Sequence, residues 1–209
     1  ETRMTTKERI IEEALTLFAE KGYQGTSVKN IADAVGIKDS SLYKHYKSKQ
    51  EIFDTIVQEM SLRMERISLD FGLPGESDMG EAAALYGGLS LEALLALSRG
   101  IFLFYLKDEF AARFRRMLTI EQYRSKDIYK VYRQIFMEAS ISYQSALFEE
   151  MCRRRIFREA DPEVMALHFY SPIFFLLNKY DQEPEQEEEA LMVLERHVRE
   201  FARIYQVEN

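Results

Sequence analysis

Four apolar side chains, Val28, Ile31, Ala32 and Val35, recur at i, i+3, i+4 and i+7 and stop at Gly36. That spacing gives a helix of about two turns with a single apolar face. A glycine placed next can take the left-handed conformation that a tight turn between crossing helices requires. Ile37 follows as a core plug. The next helix, expected over about residues 39–46, has one clearly buried apolar side chain, Leu42. Its other positions hold Ser, Tyr, Lys and His and are too polar to bury. Two short crossed helices, the second polar and outward, make a helix-turn-helix over about residues 26–46. A second helix of that kind suits a DNA major groove.

The flanking sequence supports the same small domain. Thr5 and Glu8 form a capping box ahead of a helix whose face is Ile10, Ile11, Ala14, Leu15 and Phe18, closed by Gly22. Ser48 and Glu51 form a second box. It opens a fourth helix with the stripe Ile52, Phe53, Ile56, Val57, Met60, Met64 and Ile67. That stripe is longer than a three-helix domain can cover, so the helix is expected to connect to a larger body. Residues 72–80, with three glycines and a proline, predict a loop, and Gly87-Gly88 a second break. Helices are expected beyond it over about 90–107, 109–121, 125–155, 162–181 and 185–206. Asp161 caps one of them with Pro162 at its first position, and Pro172 predicts a kink inside it. No strand alternation is visible. The expected fold is all-α, an N-terminal three-helix helix-turn-helix DNA-binding domain plus a larger C-terminal helical ligand-binding and dimerisation domain (about nine helices). The expected division is residues 1–50 and 51–209.

Bulk properties narrow the function. The longest apolar run, residues 101–106, is far short of the roughly 20 residues of a membrane span. No membrane partner is expected, and with a polar, charged start and no signal peptide the expected location is cytoplasmic. One cysteine, Cys152, excludes an intramolecular disulfide and is expected to be an ordinary buried or helix-end thiol. The net charge of −7 hides a basic segment: residues 21–50 hold six lysines against Asp33 and Asp39. A basic patch on an acidic body fits contact with DNA at one end. There is no glycine-rich phosphate loop, no metal-spaced His/Cys cluster and no nucleophile–base pair, and His45, His168 and His197 are scattered. The expectation is therefore no catalytic residue, no metal and no cofactor, with a helical enzyme as the remote alternative.

Residues 5–53 resemble the DNA-binding domain of TetR-type transcriptional regulators. The resemblance lies in Leu17-Phe18-Ala19, Gly22-Tyr23, Gly25-Thr26-Ser27-Val28, Ile31-Ala32, Val35-Gly36-Ile37, Leu42-Tyr43, Tyr46, Lys47-Ser48-Lys49 and Ile52-Phe53. It covers about a quarter of the chain. Where many relatives have Ser, a basic residue and Gly at the start of the recognition helix, this chain has Lys38, Asp39 and Ser40. Asp39 is expected to cap that helix and to leave Lys38 for phosphate or base edges.

The resemblance implies a sequence-specific DNA-binding transcriptional regulator. It would act as a homodimeric repressor of a pseudo-palindromic operator on double-stranded DNA, released when a small, largely apolar or aromatic effector binds the C-terminal domain. The alternative is a protein of the same fold whose C-terminal domain binds a partner protein. Thr26 and Ser27 are expected to hold phosphate at a helix N-terminus. Lys49 does the same on the other side of the groove, and Tyr43 and Tyr46 resemble family tyrosines that reach phosphates or thymine methyls, Tyr46 being equally suited to the core. Ser40, Ser41, Lys44 and His45, with Lys38, are the expected base and phosphate readers. Met64, Phe102, Tyr105, Tyr123, Tyr132, Phe136 and Phe174 are the expected effector-lining side chains. Phe169, Ile173, Leu194, Val198, Phe201 and Tyr205, on the last two helices, are the expected dimer interface.

Overall fold

The computed structural model describes residues 4–74 and 78–207. In chain order the helices are α1 (Thr6–Lys21), α2 (Val28–Val35), α3 (Asp39–Leu42), α4 (Lys49–Asp70), α5 (Met79–Gly88), α6 (Leu91–Lys107), α7 (Glu109–Glu121), α8 (Lys126–Arg133), α9 (Ala139–Arg153), α10 (Pro162–Lys179) and α11 (Glu187–Tyr205). A π-helical turn, Gln134–Glu138, joins α8 to α9 without a break, so the described residues form ten separate helices and no strand. The fold is all-α, as the periodicity predicted. The helix beyond the expected set is α5, whose alanine-rich sequence carries little amphipathic signal. Part of the expected loop, residues 75–77, lies outside the described residues. No single helix among the described residues is long and apolar enough to cross a membrane.

The chain divides into two compact units, residues 1–65 with 109–132 and residues 66–108 with 133–209. Packing therefore does not divide at residue 50. The helix α4 runs through that point unbroken, and α7 packs on α1.

In the first unit the core is built from one face of each helix. It contains Ile10, Leu15 and Phe18 of α1, Ile31 and Val35 of α2, Leu42 of α3, and Ile52, Phe53, Ile56 and Met60 of α4. Phe110, Phe114, Met117 and Leu118 of α7 complete it. Each such side chain contributes about 1.5–3 kcal/mol on leaving water. The Thr5 box forms as predicted, with the Glu8 amide donating to Thr5 Oγ1 and the Thr5 amide to Glu8 Oε2. The Ser48 box forms by half: Ser48 Oγ accepts from the Glu51 amide, but the Glu51 carboxylate turns to the amide of Lys47. The buried stripe of α4 stops at Met60; Val57, Met64 and Ile67 are only half-buried. Two polar clamps fix α7 to α1. Arg113 donates to Glu12 at 2.6 Å and to Thr16 Oγ1 at 2.8 Å, and Glu121 Oε1 accepts from the Gln24 amide at 3.3 Å.

The second unit has two apolar clusters. One joins Leu95 and Phe102 of α6 to Leu176 and Leu177 of α10 and to Leu191, Leu194 and Val198 of α11. The other joins Ala82 and Ala83 of α5, Leu147, Phe148 and Met151 of α9, Met165 of α10 and Phe201 of α11. This corrects the dimer-interface expectation. Leu194, Val198 and Phe201 fill the core of their own unit, where Phe201 packs its ring against Phe148, Phe169 and Tyr205. Phe169, Ile173 and Tyr205 are half-buried against the same clusters. The wide apolar arc of both helices is satisfied largely by α6 and α9. What remains exposed is a smaller apolar set: Val164, Leu167 and Phe175 on α10, Met192, Val193 and Ile204 on α11, with Phe175 62% and Met192 60% exposed.

Candidate nucleic-acid interface

The turn between α2 and α3 follows from two backbone amides. Gly36 has φ 77° and ψ 35°, and its amide reaches Asp33 O while that of Ile37 reaches Ala32 O. This pair of bonds is a Schellman closure, with the glycine at its left-handed position. Empty space surrounds Gly36, so the backbone angle is what selects glycine there. Ile37 is half-buried behind the turn, and α3 leaves from Lys38.

The regular part of α3 is shorter than expected. It covers Asp39–Leu42 and then tightens, with the His45 amide bonding Leu42 O at 2.8 Å and the Lys44 amide bonding Ser41 O. Such i to i+3 bonds are an ordinary helix ending. The expected cap also shifts by one residue. Lys38 occupies the N-cap without a side-chain cap, and Asp39 is the first helical residue, where its charge suits the helix dipole.

The ten expected DNA-facing residues separate into two groups. Lys38, Ser40, Tyr43, Lys44 and His45 are exposed, Tyr43 by 52%, with Ser41 half-buried beside them. Ser27 is exposed at the start of α2, where it closes a capping box with Asn30. Its hydroxyl is engaged there, but the first-turn amides of α2 still point out of the helix.

Three of the ten do structural work instead. Thr26 is buried, and its hydroxyl donates to Gly22 O at 2.9 Å. Tyr46 is buried, with the ammonium of Lys7 lying 5.2 Å from its ring centre; burial, then the charge of Glu51, raises its phenol pKa. Lys49 donates to Tyr23 O at 2.7 Å and Thr26 O at 2.8 Å and lies 4.2 Å from the Tyr23 ring centre. Burial lowers its pKa, against the charge of Glu121. Lys49 thus ties the start of α4 to the loop before α2. The exposed neighbour is Lys47, which the sequence reading passed over. Its signal was the inward tyrosine immediately before it.

The expected effector-lining residues do not form one described wall. In the first unit Met64 is half-buried, Tyr132 is buried, and Tyr123 is 89% exposed on the turn after α7, which corrects its placement as a lining residue. In the second unit Phe102 and Phe136 are buried, and Tyr105 and Phe174 are half-buried. Phe136 sits in the π-helical turn, where its carbonyl accepts from Tyr170 Oη. Burial, then the neighbouring Tyr170, raises the phenol pKa of Tyr105; burial, then Tyr143, does so for Tyr86. Tyr86, Tyr143 and Tyr170 had escaped the sequence reading, which offers no pattern to mark them. No cluster of three or more metal-ligating side chains occurs among the described residues.

Comparison with known proteins follows this geometry. Residues 10–56 match the family described as bacterial regulatory proteins, tetR family. A stretch of 52 residues is 50% identical to the biofilm operon icaADBC HTH-type negative transcriptional regulator IcaR of Staphylococcus epidermidis. That stretch is 25% of this chain and spans only 28% of the regulator's length. Among solved structures, the flavonoid-responsive regulator FrrA is 26% identical, with a TM-score of 0.59 over 98% of both chains. SmeT, the repressor of the Stenotrophomonas maltophilia multidrug efflux pump SmeDEF, is 20% identical, with a TM-score of 0.63 over 99% of this chain and 93% of its own.

Proposed function

We infer that this chain, which belongs to the TetR family of bacterial regulatory proteins, is a DNA-binding transcriptional repressor. The observation that carries the reading is the exposed set Lys38, Ser40, Tyr43, Lys44 and His45, held out by the Gly36 turn above a core of Ile31, Leu42 and Tyr46. Lysines at this surface neutralise phosphates, and the serines and histidine supply donors and acceptors for base edges. Residues 1–50 carry the DNA-binding function and 51–209 the effector-binding and dimerisation functions, although residues 51–65 and 109–132 pack in one unit with the first segment. One such head reads only a few base pairs, so a two-fold pair reads a pseudo-palindrome. The exposed apolar side chains of α10 and α11, Phe175 and Met192 foremost, supply the surface through which two copies pair. The protein is cytoplasmic, where its DNA is, and has no catalytic role.

The effector is small and largely apolar or aromatic. FrrA, described as flavonoid-responsive, supports this at the fold level. The second unit adds half-buried phenols at its apolar core, Tyr105, Tyr170, Tyr86 and Tyr143, whose oxygens can accept from the hydroxyls of a polyphenol or similar ring. Binding favours one setting of α4, which continues from the first unit into the second, and so changes operator affinity by the ratio of effector affinities for the two states.

The test is selection of bound fragments from the source genome, then gel-shift titration with Tyr43→Ala and Lys44→Ala. Both should lose affinity at unchanged melting temperature. Wild-type binding by both would refute the assigned face.

A further inference from the structure

Among the described residues, three helices close with the same pair of backbone bonds, and one of them breaks the residue rule. After α2 the left-handed position is Gly36, and after α4 it is Gly72, φ 65°, with the Leu73 amide on Ser68 O and the Gly72 amide on Leu69 O. After α9 the Ile156 amide bonds Met151 O and the residue-155 amide bonds Cys152 O, and the left-handed residue is Arg155, φ 59°. A side chain at such an angle is strained where glycine is not.

This arginine stands in an unusual place. Arg153 and Arg154 are both neutralised by Glu150, at 2.6 Å each. Arg155 and Arg158 make no ion pair among the described residues. The segment they occupy is anchored to the end of α11: the Arg158 amide donates to Tyr205 O at 2.7 Å, the Val207 amide to Ile156 O at 3.0 Å, and Phe157 bridges Gln206. The fold therefore holds this arginine-rich turn in one place. Beside it is an open cavity of about 500 Å³, lined by Arg153, Arg155, Arg158, Phe157, Cys152 and Val207. Glu159 also lines it, which leaves the guanidiniums in excess. That volume is of small-ligand size.

We propose that this cavity binds a small organic anion, a carboxylate or phosphate head on a compact apolar body. Arg155 and Arg158 take the oxyanion, for which the planar guanidinium has matching donors. Phe157 and Val207 face the apolar part. Cys152 takes no covalent role: its thiol already donates to Arg158 O at 3.2 Å, and burial raises its pKa. The site is separate from the DNA-facing surface and stands or falls without it.

Titration calorimetry of the full chain with phenyl phosphate, benzoate and inorganic phosphate tests the proposal. Wild type should bind one phenyl phosphate or benzoate, with the stronger of the two identifying the head group. Inorganic phosphate should bind about tenfold more weakly. Arg158→Gln and Arg155→Gly should each weaken binding by about tenfold. Arg155→Gly should melt no lower than wild type, because glycine relieves the left-handed strain. Arg203→Ala, removing an arginine paired with Glu200 outside the cavity, should bind as wild type. No binding of any probe at millimolar concentration, or undiminished binding by Arg155→Gly, would overturn the site. Equal affinity for inorganic and phenyl phosphate would overturn its apolar wall.

Discussion

The carboxylate of Glu121 closes directly over Gly22: a Cβ built on Gly22 would stand 2.2 Å from Glu121 Oε1. Glu121 is fully buried at the end of α7, and Gly22, φ 80°, ends α1. Steric room and backbone angle both demand glycine. Gly22→Ala should therefore lower stability by about 1–3 kcal/mol, read as a falling midpoint in urea denaturation. Adding Glu121→Ala should recover only the steric part, because the strain of a positive φ with an extended ψ of 162°, about 1–3 kcal/mol, persists. A Gly22→Ala protein as stable as wild type would show that the contact does not exist.

Lys49 and Lys47 should behave as opposites. Lys49 supplies two charged hydrogen bonds to backbone carbonyls, so Lys49→Ala should lower stability by about 1.5–3 kcal/mol. Lys47→Ala removes only an exposed charge. It should leave the thermal midpoint within error and reduce the slope of log affinity against log salt by about one. If Lys49→Ala keeps its midpoint and loses only DNA affinity, the structural role is wrong.

Helix periods and caps were legible because they depend on neighbours three and four positions away: Val28 to Gly36, Thr5 with Glu8, Asp161 with Pro162. The recognition surface was legible as a segment but not residue by residue. Thr26 and Lys49 turn to the carbonyls of Gly22 and Tyr23, Tyr46 lies buried beside Lys7, and spacing alone does not encode which polar side chains find such partners. Leu194, Val198 and Phe201 were not legible as core for a related reason. A wide apolar arc shows that a helix is covered, not by what, and α6 and α9 cover most of this one. Arg155 was invisible because no residue preference marks an arginine at a left-handed position.

His197 gives a pH dependence with a defined sign. Its Nε2 lies 2.8 Å from Phe169 O, an acceptor, so that nitrogen carries the proton. Burial lowers the pKa below 6.5, outweighing the carbonyl contact. The unfolded chain therefore binds the second proton first as pH falls. The contribution to stability is full above pH 6.5 and is lost as pH drops through the folded value. His197→Gln should flatten that part of the curve of urea midpoint against pH. An unchanged slope in the variant would assign the effect to other groups.

The pairing surface can be tested without confusing it with the core. Phe175 and Met192 are exposed, so glutamate at either position meets water in a free monomer and leaves the two apolar clusters intact. If copies pair through these side chains, glutamates on both sides of a two-fold contact face each other or apolar carbon. Burying an unpaired carboxylate costs several kcal/mol. Phe175→Glu and Met192→Glu should therefore sediment as monomers with wild-type helical circular dichroism, and should bind operator DNA weakly because only one head is delivered. Phe201→Glu places its charge among Phe148, Phe169 and Tyr205 and should unfold the second unit outright. Dimeric mass for both surface variants would move the interface elsewhere, whereas a folded Phe201→Glu monomer would return it to the originally expected face of α11.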